Sequence, residues 1–313
     1  MKQIFPFLIL GLTALACSLF SPAASTPTVQ PAPVTQAVST LTPAAPSIPA
    51  LTADQLKNAK VQLVARDSHP TVQLTDGLYQ NGTDPASTDY ASVNLLPQIA
   101  YGDLNGDSAS DAAILLAENY GGTGVFVSVI AMLNQNGQPV QAASEMIDDR
   151  PKINSLSIQN GQIFLDAVIH GPNDPGCCAA WPTKRTFRYE FNKLVMTSFS
   201  SGTPDGSERV ITITQPSNGD QVTLSQPLTV TGNVTIAPFE NNLVYSIFDS
   251  NNNQVANGSL LVQASQPGGP GSFSLPVDLS KIISPGPERI EIEDTSPADG
   301  SVLALGSVTI NIK

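Results

Sequence analysis

Val210-Ile211-Thr212-Ile213-Thr214, Leu228-Thr229-Val230-Thr231-Gly232 and Leu243-Val244-Tyr245-Ser246-Ile247-Phe248 set the reading of this chain. Four more runs of the same kind follow: Gly258-Ser259-Leu260-Leu261-Val262, Gly271 to Val277, Glu288-Arg289-Ile290-Glu291-Ile292 and Ser307 to Ile312. Each is short, rich in β-branched residues, and bounded by Gly, Pro or Asn. Seven such strands between residues 209 and 313 match the arithmetic of an immunoglobulin-like β-sandwich, which uses about seven strands in roughly 100 residues.

Upstream the signal is again β. Val61 to Val64, Asp111 to Leu116, Val125 to Ile130, Ile153 to Ile158, Ile163 to Val168 and Thr186 to Phe191 read as strands. Asn136-Gly137 and Asn160-Gly161 between them are strong short-range hairpin signals, because a two-residue loop needs positive φ at both positions. Gly121-Gly122-Thr123-Gly124 reads as one more hairpin turn; no helix follows it to cradle a phosphate. One short helix is expected at Thr52 to Ala59, with Thr52 as N-cap and Gln55 closing a capping box. The fold class is therefore all-β with at most one short helix: an antiparallel β meander domain at 51–198, a Ser/Gly/Thr/Pro linker at 199–208, and the sandwich at 209–313.

The N-terminus carries an address. Met1-Lys2-Gln3 leads into an apolar run from Ile4 to Ala16 that ends at Ala14-Leu15-Ala16-Cys17. A charged start, an apolar core and small residues at the cut mark an export signal; the run is shorter than the roughly 20 residues a spanning helix needs. A cysteine directly after the small residue resembles the bacterial lipobox. That resemblance implies acylation of Cys17, a signal peptide at 1–17 and a lipid anchor on the extracytoplasmic side of the membrane. The alternative is an ordinary secretory signal cut nearby. Residues 18–50 are mostly Pro, Ala, Ser and Thr, too poor in bulky apolar groups to offset their ordering entropy, and read as a disordered tether.

The formal charge of −12, with 14 Lys plus Arg against 26 Asp plus Glu, excludes nucleic acid as partner, since phosphate neutralisation needs a basic face. It also repels anionic headgroups, so membrane attachment rests on acyl chains.

The C-terminal third resembles a known family. Ile211-Thr212-Ile213-Thr214-Gln215-Pro216 with Gly219, Pro227 to Gly232, Phe239-Glu240-Asn241-Asn242-Leu243, Asp249 to Val255, Gly271-Ser272-Phe273 and Glu293 to Gly300 form one ordered set. It is similar to the immunoglobulin-like domain associated with GerM in bacterial spore-germination proteins. The resemblance implies a fold and an envelope setting, and brings no catalytic residues.

Two constellations are candidates for chemistry. In Asp103-Leu104-Asn105-Gly106-Asp107-Ser108-Ala109-Ser110-Asp111, oxygen-bearing side chains at relative positions 1, 3, 5 and 9 suit a hard cation. The spacing of Asp103, Asn105, Asp107 and Asp111 resembles the calcium loop of FG-GAP repeats; the other reading is an Asx-rich turn capping its own backbone. The second is His170-Gly171-Pro172-Asn173-Asp174-Pro175-Gly176-Cys177-Cys178. A nucleophile reading has His170 activating a thiol, and a zinc reading adds His69. Adjacent cysteines do not readily present two sulfurs to one ion, and export places them in an oxidising setting. With Cys17 taken by lipid, Cys177 and Cys178 are expected to be oxidised to each other. Similar Gly-Pro-x-Asp-Pro-x-Cys-Cys loops beside Asp-Leu-Asn-Gly-Asp turns occur in uncharacterised bacterial envelope domains, a likeness covering about residues 95–195 that implies no activity. Trp181 with Phe187 and Tyr189 offers a ligand platform or the core and rim of a sheet, and reads as the latter; the carboxylate pairs Asp148-Asp149 and Glu291 to Asp294 suit a glycosidase but read as solvated.

The expectation is an envelope-anchored, non-enzymatic binding or structural lipoprotein, linked to spore or cell-envelope processes, with an envelope protein or glycan as partner and no cofactor other than the calcium of the Asp103 loop. Two alternatives stay open: an exported hydrolase acting on cell-wall or glycan material, and a calcium-dependent adhesin.

Overall fold

The computed structural model describes residues 48–224, 227–279 and 285–313; Cys17, the signal segment and the tether up to residue 47 lie outside them. The described chain is almost entirely β, as its composition implies. Its one α-helix, α1 (Ala53–Lys57), is held by the full capping box: Gln55 N donates to Thr52 Oγ1 at 3.2 Å, and Thr52 N donates to Gln55 Oε1 at 2.9 Å. A small hairpin follows, β1 (Lys60–Gln62) with β2 (Thr71–Gln73).

The first large sheet is an antiparallel meander of β3 (Leu78–Asn81), β4 (Ala91–Gly102), β5 (Asp111–Asn119), β6 (Phe126–Gln135) and β7 (Gln138–Asp149). Asn136 and Gly137, at φ of 57° and 84°, make the tight turn between β6 and β7. Strand β5 is apolar on both faces because both are covered. Ala113 and Leu115 face one core with Ile163, Leu165 and Phe187. Ala112, Ile114 and Leu116 face a second core capped by α1 and the β1–β2 hairpin through Leu56, Val61 and Leu74. A strand buried on both sides reads as a continuous apolar run rather than an alternating one.

A second meander packs on the first: β8 (Lys152–Gln159), β9 (Gln162–Ile169), β10 (Trp181–Glu190) and β11 (Lys193–Gly202). Asn160 and Gly161, at φ of 51° and 73°, turn β8 into β9. The next hairpin uses Phe191 and Asn192 at φ of 53° and 58°. Phe191, expected to extend a strand, is therefore a turn residue, because a two-residue loop requires positive φ there.

The stretch 199–208, expected as a linker, is ordered β structure. Phe199 to Gly202 complete β11, Thr203 to Ser207 form a tight turn closed by Thr203 N to Ser207 O at 2.9 Å, and β12 (Glu208–Arg209) folds back on β11. Its hydroxyls have partners: Ser201 Oγ donates to Leu303 O at 2.6 Å, and Ser200 Oγ to Glu208 Oε1. Small polar residues signal a loop in sequence, but they also let two sheets approach closely when each hydroxyl finds an acceptor.

Beyond it the immunoglobulin-like sandwich is formed by β13 (Ile211–Gln215), β14 (Gln221–Val222), β15 (Leu228–Val234), β16 (Asn242–Asp249), β17 (Gln254–Leu261), β18 (Gln263–Ala264), β19 (Gly271–Val277), β20 (Gly286–Thr295) and β21 (Val302–Ile312). One sheet runs β13-β15-β19-β18; the other runs β17-β16-β20-β21, with β14 parallel to β21. Val230, Leu243, Ile290, Ile292 and Ile310 fill the space between them. Gly232 permits that packing, since a Cβ there would stand 2.3 Å from both the Phe273 ring and Thr212 O.

The sandwich is joined to the meander through main-chain pairing. Strand β11 pairs with β21, Ser198 opposite Gly306 and Phe199 opposite Leu305, so one sheet continues from β8 to β17. Side chains support this seam: Ser307 Oγ donates to Met196 O, Thr309 Oγ1 donates to Glu190 Oε2 at 2.8 Å, and Arg209 pairs with buried Asp294 at 3.2 Å. Phe199 is 5% exposed. Phe199→Ala is expected to cost about 3–5 kcal/mol and, because the sheet is shared, to lower one common calorimetric transition. Two transitions with only one displaced would show the halves melting independently.

Candidate functional site

The Asp103–Asp111 turn is built by its own backbone. Asp103 accepts from Gly106 N and Ser108 N at 2.7 and 2.9 Å, and Asn105 Oδ1 accepts from Asp107 N at 3.0 Å. Asp107 Oδ1 accepts from Ala109 N at 2.7 Å. Asp111 opens β5 fully buried, and its two oxygens take Leu104 N and Asn134 N, each at 2.8 Å. Burial pushes its carboxyl above the usual range, against the pull of those two N–H donors. Every one of these carboxylates is aimed at main-chain N–H groups, and among the described residues no three His, Cys, Asp or Glu side chains converge as a metal set. This is the Asx-turn arrangement, with Asp111 tying the turn to the β6 end.

The second constellation is gathered at one edge of the two meanders. Asp148, near the end of β7, accepts from His170 N at 2.6 Å and from His170 Nδ1 at 2.9 Å. A carboxylate can only accept, so Nδ1 donates, and the buried Nε2 has no hydrogen-bond partner among the described residues. Asp149 binds Arg150 through two oxygens, at 3.0 and 2.6 Å, and the guanidinium beside it holds its carboxyl below the usual range. Arg150 also donates to Gly176 O. Asp174 accepts from Gly171 N and Ala180 N, both at 2.8 Å, and these bonds depress its acidity range as well.

Cys177 and Cys178 are exposed and joined as a vicinal disulfide, with Cα atoms 3.8 Å apart. Neither sulfur is a thiol facing His170. His69 sits at the turn of the β1–β2 hairpin, its Nδ1 3.2 Å from Leu63 O, and is not brought to His170. The set serves to brace the 171–180 loop. Trp181, which opens β10 where this loop ends, donates Nε1 to Gly202 O at 3.1 Å and meets the Phe199 ring edge-on at 5.6 Å. Phe187 is fully buried, in the core.

Buried acids that the sequence did not single out prove structural or isolated. Glu118, wholly buried on β5, accepts from Val64 N, Ala65 N and Tyr120 Oη, so it pins the chain leaving β1. Burial, reinforced by this carboxylate, pushes the Tyr120 hydroxyl up. Glu288, 5% exposed on β20, has an oxygen with no partner among the described residues. Burial first, and then Asp249, push its carboxyl up to about 7. Alternation in β20 places Glu288 on the same inward face as Ile290 and Ile292, and a carboxylate at such a position was the available signal.

Residues 210–301 match the family described as the immunoglobulin-like domain of bacterial spore germination. No curated protein matches the chain. Among solved structures, CopC from Methylosinus trichosporium OB3b is similar at 20% identity over 34% of this chain and 93% of that one, with a TM-score of 0.25.

Two outcomes follow from this geometry. Millimolar calcium should leave the melting temperature unchanged, while Asp111→Ala, which strips two buried N–H groups of their acceptor, should cost roughly 2–4 kcal/mol; a calcium-dependent rise abolished by Asp107→Ala would restore the cation reading. Glu288 holds its proton in the folded state above its ordinary 4.5. Its contribution is therefore complete below about pH 4.5 and lost as pH rises through about 7. Glu288→Gln should melt like the parent at pH 4 and above it at pH 8, and a pH-independent difference would refute this.

Proposed function

We propose that this chain is a non-enzymatic binding or structural protein of the bacterial cell envelope, anchored on the extracytoplasmic face of the membrane by acyl chains on Cys17. In this reading 1–17 is the lipoprotein signal, 18–50 a tether, 51–198 the β-rich domain, and 209–313 the immunoglobulin-like domain. The observation that carries it is the match of residues 210–301 to the immunoglobulin-like domain of bacterial spore germination, on a domain whose sheet runs on into the β-rich half.

Four further observations support the reading. Ala14-Leu15-Ala16-Cys17 follows an apolar run of export length. No helix of the described residues is long and apolar enough to cross a membrane; in this reading the hold is lipid, and two or more acyl chains anchor a protein stably where one does not. The Asp-rich turns and the His170 constellation bond chiefly to backbone N–H groups and to one another. A net charge of −12 directs the partner away from nucleic acid and toward an envelope protein or glycan.

Mass spectrometry of the mature N-terminus tests the anchor. The expected product begins at an acylated Cys17, partitions with membranes, and is lost in Cys17→Ser, which accumulates as uncleaved precursor. A free N-terminus at another residue, with the protein released from membranes, would overturn it.

A further inference from the structure

At the start of β10, where Trp181 meets the 171–180 loop, lies a hollow of about 310 Å³. Pro172, Pro182 and Pro204 line its sides with Gly171 and Asn173. The indole is fixed in place by its bond to Gly202 O and by the edge of Phe199. Opposite it the loop is exposed at Pro172, Asn173 and Pro175 to Cys178, yet braced at several points. Asp174 ties its two ends together through Gly171 N and Ala180 N, Arg150 holds Gly176 O, and the vicinal disulfide closes its tip. Such bracing adds little to any core. It fixes where Pro172 and Asn173 stand relative to Trp181. Gly171 is part of this fit, because a Cβ there would come within 3.2 Å of Trp181 Cβ.

We propose that this hollow binds one ring of an uncharged oligosaccharide; the inference rests on the reading of the chain as an exported binding protein and names its ligand class. A pyranose ring presents an apolar C–H face and a rim of hydroxyls. Indole and pyrrolidine surfaces offer the apolar counterpart, and a carboxamide such as Asn173 both donates to and accepts from neighbouring hydroxyls. The one charged side chain in the lining, Asp174, is drawn into the loop through Oδ2, which takes both backbone N–H groups, and no cationic side chain is among the lining residues, so an anionic ligand finds no counter-charge. The volume lies at the small end of ligand pockets, roughly 300–1,000 Å³, which suits a single ring. A second hollow of about 210 Å³ shares Pro182, Gly202 and Thr203 with the first and continues past Lys184 and Glu208. It gives the adjoining sugar a place.

The chain has a single tryptophan, so intrinsic tryptophan fluorescence reports on this hollow alone. The purified full chain, in a detergent without a sugar headgroup, is titrated with chitotetraose and separately with maltotetraose. A saturable emission change with at least one of them is expected, weakened about fivefold in Asn173→Ala with the melting temperature unmoved, since Asn173 is exposed. No change from either sugar up to about 10 mM, weaker than any specific site, would overturn the proposal. So would unchanged affinity in Asn173→Ala. Silence toward both sugars from a protein still acylated at Cys17 removes this site and leaves the anchored-protein reading standing. Binding by a chain found unacylated and soluble supports the site and removes the anchor.

Discussion

The pairing of β11 with β21 is the constraint on which the rest of the architecture depends. It is short, Ser198 opposite Gly306 and Phe199 opposite Leu305, yet it turns two separately cored β structures into one continuous sheet. No apolar core crosses it: one draws on Ile211 to Ile312, the others on Leu51 to Leu194. What crosses it is polar and specific, namely backbone hydrogen bonds, serine hydroxyls on carbonyls, and the Arg209–Asp294 pair. Such contacts add little net stability for their number, but they allow one register and one approach.

The acidic character of the chain has the same origin as its β content. Antiparallel strands need many tight turns, and each turn strands backbone N–H groups that no ladder partner reaches. Asp and Asn accept from such groups close by in the chain: Asp103 from Gly106 N and Asp249 from Asn251 N downstream, Asp174 from Gly171 N and Asp220 from Ser217 N three residues upstream. Where the turn is buried the acceptor is buried too, which accounts for Asp111 and Glu118. An acidic cluster in such a protein is thus first a turn device. Glu288 differs: its oxygen meets no donor among the described residues, and its elevated acidity range records the uncompensated burial.

Much of this was legible in the sequence, and what was missed has identifiable causes. The capping box at Thr52 and Gln55 and the Asn-Gly hairpins depend on local rules that tertiary contacts reinforced. Strand β4 was hidden by Pro97, which lies in a register shift between Leu95 and Ile99, the kind of place a sheet tolerates proline. Strand β7 was hidden because Gln138 to Asp149 is largely polar and sits at the sheet edge. The 199–208 stretch looked like a linker since Ser, Gly and Thr predominate, whereas burial of Phe199 and the serine hydroxyls depends on a partner strand 100 residues away, which no local pattern reports. The Asp103 loop has a composition that serves a cation site and an Asx turn alike, and the N–H groups its carboxylates accept from are set by backbone geometry that composition does not report.

The 171–180 loop shows the opposite case, in which composition understated what the geometry does. The His, Asp and Cys residues here suggested reactive chemistry, but each holds structure: His170 on Asp148 of β7, Asp174 across the loop's ends, Cys177 on Cys178. Reactive residue types used in this way make a rigid surface loop, and rigidity at a surface matters when something must be met in a fixed pose, because ordering is then already in place before contact. The residues the loop positions, Pro172 and Asn173 against Trp181, are chemically unreactive and attract no notice in a search for catalysis. One indole, three pyrrolidines and a carboxamide have the chemistry to meet an apolar ring face and its hydroxyls rather than to turn a substrate over, and that is the form the proposed binding takes.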